Sequence, residues 1–245
     1  GKNNGNALVK FTNPDYVFDE VSDKNGKAYK KPNFSNSSSI SAVGAPDLPS
    51  RTTFIAVDPS KSYSLQVSYG SSRVIENIDV APKGDWNELG SDQSISESNY
   101  SNIESFYPTN IALLSEPMAM RELSLVSLTV SPFRYFPQEK RLEEFMDIEV
   151  ELIETGNRES INFFPNKRSR AFEPLYESLV ENYSSLNREN IPYQRPSILY
   201  VLPNNIGNLL GTVEVLMDWK RRMGYEVNYV SCLLYTSPSP RDTLL

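Results

Sequence analysis

Nothing limits what this chain can fold into more than two runs of strict two-residue alternation. Tyr63, Leu65, Val67 and Tyr69 alternate with Ser62, Ser64, Gln66 and Ser68, and Ile148, Val150 and Leu152 alternate with Asp147, Glu149 and Glu151. Successive side chains of a strand point to opposite faces, so each run reads as a strand with one buried and one wet face. Thr53 to Val57 reads as another strand, closed by the Asp58-Pro59 turn. Val74 to Val80 is expected to partner Tyr63–Tyr69 across the Gly70-Ser71-Ser72 turn. Leu123 and Leu125 share one parity, whereas Val126, Leu128 and Val130 share the other, which predicts either a bulge or a strand buried on both faces. Pro132 and Pro137 bracket a short strand over Phe133 to Phe136, and Ala7 to Phe11, Tyr16 to Val21 and Ile161 to Phe164 are further short candidates. Short strands joined by turn clusters predict a mainly β fold, an antiparallel β-sandwich or jelly-roll.

The punctuation divides the chain. Residues 1–43 carry little period, and Asn33 to Ser41 reads as a Ser/Asn-rich mobile loop. The β-rich region runs over 44–165, opened by Gly44-Ala45-Pro46-Asp47-Leu48-Pro49, whose two prolines demand an extended path. Within it, 81–105 is a polar surface excursion. Residues 166–196 read as a helix and linker: Leu175, Tyr176, Leu179, Val180 and Tyr183 follow helical spacing after the basic run Lys167-Arg168-Ser169-Arg170. Residues 197–231 change class again. A compact apolar strand over Ser197 to Leu202, an amphipathic helix over Ile206 to Met223 and a strand over Tyr225 to Val230 make the start of an α/β domain with a parallel sheet, and Gly224 suits the helix C-terminus. Residues 232–245 resemble a translated sequencing adaptor, so the native sequence is expected to stop near Ser231.

Composition excludes several chemistries. The 245 residues contain no histidine and a single cysteine, Cys232. A Ser-His or Cys-His nucleophile pair and a His-ligated zinc site are therefore impossible within them, as is an internal disulfide. The net charge of −7 argues against nucleic acid as a partner. No apolar run reaches the roughly 18 residues of a membrane span. No cofactor or metal site is expected. Gly1 is not an initiating methionine, which leaves room for a removed leader.

Three separated segments carry a resemblance. Gly44, Pro46, Leu48 and Pro49 are similar to the Gly-x-Pro-x-Leu-Pro entry of a gingipain propeptide. Arg121 to Leu152 repeats that family's order of an Arg, an alternating strand, Pro132, Tyr135, Pro137 and a second alternating strand. Trp219, Lys220 and Gly224 resemble the helix end that opens the gingipain-type cysteine peptidase domain. The resemblance implies a secreted, extracellular or cell-surface peptidase precursor. Its prodomain packs on its own downstream catalytic domain, aids that domain's folding and blocks its site until cleaved. The catalytic His and Cys are expected outside these residues, so no catalytic residue is assigned here. The partners expected are that catalytic domain and the protein substrates of the full-length enzyme.

Candidate residues have plainer readings beside them. Arg168, Arg170 and Arg195 are candidate processing sites in an exposed linker, with Arg188 as a rival; the plain alternative is a solvated linker. Arg73 is a candidate mimic of a basic substrate side chain, and the 33–41 and 81–105 loops are candidates to enter a cleft. Glu143, Glu144, Asp147, Glu149 and Glu151 read as a solvated strand face rather than paired catalytic carboxylates or a calcium site, and Asp47 as a residue that orders a turn. Trp219 is expected to pack the helix on its sheet, with Lys220 solvated. Tyr63, Tyr69, Phe133, Tyr135 and Phe136 allow a sugar-binding platform, but packing also accounts for them. An adhesion or carbohydrate-binding module, and a gingipain-like component of a secretion apparatus, stay open as alternatives.

Overall fold

The structure, a computed structural model, describes residues 7–13, 15–86, 93–94, 98–159, 167–203, 207 and 209–232. The chain divides into two compact units, one formed by Gly1–Pro165 with Leu175–Leu186 and the other by Asn166–Pro174 with Asn187–Leu245. In chain order the strands of the first unit are β1 (Ala7–Phe11), β2 (Tyr16–Ser22), β3 (Ala28–Phe34), β4 (Arg51–Ala56), β5 (Lys61–Ser68), β6 (Ser71–Ile75), β7 (Asp85–Trp86) and β8 (Gln93–Ser94). They continue with β9 (Ala112–Leu114), β10 (Met118–Met120), β11 (Leu123–Val130), β12 (Phe133–Phe136), β13 (Arg141–Met146) and β14 (Ile148–Asn157). Helix α1 (Glu173–Leu179) follows, and the second unit adds β15 (Ser197–Pro203), α2 (Leu209–Arg222) and β16 (Glu226–Cys232).

The first unit is mainly antiparallel β. One sheet has the order β1-β14-β5, a second β10-β11-β4 with β9 also on β11, and a third β12-β13-β6. Its core draws on all three: Phe11, Ile148, Val150 and Leu152 from the first, Ile55, Val126, Leu128 and Val130 from the second, and Phe133, Tyr135, Leu142 and Phe145 from the third. Each fully buried side chain of this size stabilises the fold by roughly 1.5–3 kcal/mol.

β11 resolves the parity switch. Its register against β4 runs unbroken from Leu125↔Ala56 to Val130↔Arg51, and nearly every residue is buried, so it is a two-sided central strand without a bulge there. β5 does not pair with β6 as expected. Instead β5 pairs with β14, with Leu65 opposite Leu152 and Val67 opposite Val150, while β6 pairs with β13. The reason lies at Gly70. Its N–H donates to the Met146 carbonyl at 3.0 Å, and Asp147, at φ 53°, breaks the opposite strand at the same level. Both chains therefore turn a corner together, and a strand pair passes from one sheet to the next without a hairpin.

The 33–41 segment is held rather than free: Ser38 and Ser50 exchange backbone hydrogen bonds of 2.8 and 2.6 Å. Residues 87–92 and 95–97 of the expected 81–105 excursion, the Ile161–Phe164 strand and the tail at 233–245 lie outside the described residues. Residues 175–186 join the first unit along the edge of β4, where the Glu181 N–H donates to the Phe54 carbonyl at 2.9 Å.

In the second unit β15 and β16 pair in parallel, Ser197 opposite Glu226, with α2 as the crossover. Gly224 sits at φ 93°, and its N–H donates to the Arg221 carbonyl at 2.9 Å, as expected of a helix terminus. Trp219 does not pack the helix on the sheet. Met217 is the fully buried residue of α2, and Leu210, Val213 and Lys220 flank it at helical spacing. Trp219 lies two positions from Met217, close to the opposite face, and is exposed. Lys220 is half-buried, its ammonium 4.5 Å from the Trp219 ring centroid, so it is not simply solvated.

Candidate functional site

The Gly44–Pro49 segment is a structural lock. Gly44 takes φ 82°, and the segment exchanges hydrogen bonds with 81–83: Gly44 N–H to Lys83 O, Lys83 N–H to Ala45 O, and Asp47 N–H to Ala81 O, at 2.7–2.9 Å. The buried Asp47 carboxylate lies 2.7 Å from Lys31 Nζ and 3.6 Å from Lys83 Nζ. Leu48 enters the core, and the Pro49 carbonyl accepts the Ser131 hydroxyl at 3.1 Å. Pro132 is likewise buried, its carbonyl accepting the Phe145 N–H at 2.8 Å.

Arg73 and Glu144 also serve the fold. Glu144 is buried, against the expectation of a solvated face, and accepts from Asn13 Nδ2 at 3.1 Å, Tyr16 OH at 3.0 Å and Arg73 Nε at 2.9 Å. Glu144 shares its parity with the buried Leu142, and Asn13, Tyr16 and Arg73 bring donors enough to satisfy it there. Burial, then the hydrogen bond to Glu144, raises the Tyr16 phenol above its ordinary pKa. Among the described residues no group of three His, Cys, Asp or Glu is arranged to hold a metal. The aromatics named above do not assemble as a platform, since Phe133 and Tyr135 lie in the core.

A different basic residue stands out. β10 and β11 form a hairpin with Met120 opposite Leu123, so Arg121 and Glu122 are its whole turn. Arg121 takes φ 54°, and Glu122 does not share that sign. Positive φ at only the first central residue is the type II′ pattern, a position that normally takes glycine. An arginine there is strained by roughly 1–2 kcal/mol, and strain of this kind gathers at functional sites. The turn is anchored through Glu122. The Glu122 side chain is 7% exposed and accepts from Tyr176 OH at 3.1 Å, whereas the Arg121 side chain is 39% exposed. Spacing did not single out Arg121 as a site. The available signal was an Arg-Glu pair filling a two-residue turn with no Gly, Asn or Asp.

The basic run belongs to the second unit. Arg168 is gripped: Nε and Nη2 bind both Glu173 carboxylate oxygens at 2.9 and 3.0 Å, and Nη1 donates to the Arg188 carbonyl at 3.2 Å. Its backbone pairs with the 192–194 segment, and its guanidinium stacks 4.5 Å from the Tyr193 ring centroid. Arg188 is buried. Arg170 is exposed, its guanidinium 4.9 Å from the same ring on a turn leading into α1. Arg195 is exposed and precedes Pro196.

No helix among the described residues is long and apolar enough to cross a membrane. Gingipain R2 of Porphyromonas gingivalis is 26% identical over 225 residues, which is 89% of this chain and 30% of the relative. Gingipain R1 of the same species is 25% identical over 223 residues, covering 88% and 22%. The chain thus spans about a third or less of the relatives it matches. In fold it is similar to a chain of the complex of Porphyromonas gingivalis RgpB pro- and mature domains, with a TM-score of 0.66 at 24% identity, covering 76% of this chain and 95% of that one. A structure of gingipain K addressing its zymogenic latency gives 0.53 at 16% identity, covering 63% and 89%. The Propeptide_C25 family model matches residues 2–184, and the chain belongs to that family.

Proposed function

We propose that the β-rich unit is the inhibitor and folding aid of a cysteine endopeptidase domain belonging to the same precursor, and that the Arg121 turn is the part that enters the substrate cleft. The observation that carries this reading is the strained arginine at the tip of an anchored two-residue turn. A turn held in one conformation loses little entropy on docking, and tethering to its target supplies a high effective concentration. Arg73 suits the role less well, because it lies within the β6–β13 ladder, paired with Glu144, rather than at the tip of a turn. The full-length protein is read as exported, acting outside the cell or at its surface on protein substrates.

Processing is assigned to Arg170 before Arg168 or Arg195. A peptidase needs an exposed, locally yielding segment, and the Arg170 side chain is exposed while Arg168 is gripped through both backbone and side chain. The Arg195–Pro196 bond is a poor target, since prolyl nitrogen has no N–H and its ring fixes the chain.

The test is inhibition of the matching catalytic domain by this chain. Arg121→Ala is expected to weaken it by about 30-fold or more. Equal inhibition by the variant and the parent chain defeats the assignment.

A further inference from the structure

Residues 175–186 lie as a strap along the first unit. Tyr176 and Val180 are buried in it, and Tyr183 nearly so. The Asn182 side chain completes the edge of β4, its Oδ1 accepting the Ala56 N–H at 2.8 Å and its Nδ2 donating to the Ala56 carbonyl at 2.9 Å. The strap is therefore seated by ladder-type hydrogen bonds at one end and by a buried aromatic at the other.

That aromatic reaches the Arg121 turn. Tyr176 OH lies 3.3 Å from the Met120 carbonyl and 3.1 Å from Glu122 Oε2, 54 residues away along the chain. The same Oε2 lies 3.6 Å from Arg121 Nε. One carboxylate oxygen thus joins the strap to the exposed arginine. With the Tyr176 ring fully buried, its hydroxyl is placed by the packing of the strap and has no freedom to follow the turn if the strap moves.

The geometry points to Tyr176 as a positioning residue that holds the Arg121 turn, and to the strap as the element through which the tip is set or released. This rests on the reading of Arg121 as the inhibitory residue. Displacing the strap withdraws the hydroxyl from Met120 and Glu122, and a strained turn then loses one of the contacts that impose its conformation. Arg170 precedes Tyr176 by six residues, so a cut there frees the strap end nearest the turn.

Amide hydrogen exchange on this chain tests the idea without any peptidase. Tyr176→Phe keeps the ring and removes only the hydroxyl. It is expected to speed exchange at residues 120–123 about tenfold while the thermal midpoint stays within a few degrees. Asn182→Ala, acting at the far end of the strap, is expected to speed the same amides, and it carries the test should Tyr176→Phe fail to fold. Unchanged exchange at 120–123 in the folded variants overturns the inference, as does an increase spread evenly over the unit. Inhibition by Tyr176→Phe should weaken about tenfold in step with the exchange. Undiminished inhibition by Arg121→Ala defeats the inhibitory reading, whereas undisturbed exchange in Tyr176→Phe defeats this one.

Discussion

Gly70 and Asp147 meet where two paired strands turn from one sheet into the next: a Cβ built on Gly70 would lie 3.3 Å from the Asp147 Cβ and 3.4 Å from its Oδ2. Asp147 holds φ 53°, a left-handed backbone conformation that fixes where its Cβ lies. Gly70→Ala is therefore expected to cost about 1 kcal/mol, the lower end of small-to-large crowding. Urea unfolding would show a lower midpoint at unchanged slope; an unchanged midpoint would mean that the corner adjusts freely.

Asp47 is a buried carboxylate facing two lysines that keep some exposure. Removing it leaves Lys31 and Lys83 without their shared partner in a partly desolvated place. Asp47→Ala should cost about 3 kcal/mol, and Lys83→Ala less, because Lys31 at 2.7 Å remains. Equilibrium unfolding of the two variants orders them.

Arg121→Gly separates stability from function. Glycine relieves a positive φ that arginine holds at a cost, so stability is expected to rise by up to about 1 kcal/mol. Inhibition of the catalytic domain should fall as it does for Arg121→Ala. A variant less stable than the parent would show that the arginine contributes packing that outweighs its strain.

Limited digestion by an arginine-specific protease should cut after Arg170 before Arg168 or Arg188, with fragment masses as the readout. Glu173→Ala removes both carboxylate contacts of Arg168 and should make the Arg168 bond cut measurably faster. An unaltered cutting order would mean that the ion pair does not protect the segment.

Burial raises the Tyr135 phenol to about 12 and the Tyr100 phenol higher still. Both stay protonated in the folded chain at pH values where the unfolded chain has released these protons. The folded state then binds more protons, so stability is complete below pH 10 and falls as pH rises through 10 to 12. Each phenol contributes up to about 1.4 kcal/mol per pH unit in that window. Unfolding followed from pH 9 to 12 should show the decline, and Tyr100→Phe should reduce its slope.

Strand class and direction were legible from the sequence alone. Alternation in Tyr63–Tyr69 and Ile148–Leu152, the two-proline segment at Pro46 and the apolar strand-helix-strand run from Ser197 each carry a local physical requirement that does not depend on distant partners. The lack of histidine kept any histidine-dependent pair out of these 245 residues in the same direct way. What only tertiary structure decided was which surfaces meet. Period two states which side chains share a face, but not which strand lies alongside, so nearness in sequence points β5 to β6, whereas the Gly70–Asp147 corner sends it to β14. A carboxylate reads as wet unless donors come from elsewhere, and Glu144 receives three of them from Asn13, Tyr16 and Arg73. Arg121 shows the same limit at the candidate site. Its positive φ arises because β10 and β11 leave a two-residue gap, and its anchor arrives from Tyr176, far along the chain. Local sequence sets what each segment prefers; long-range packing decides where that preference is met and where it is overridden.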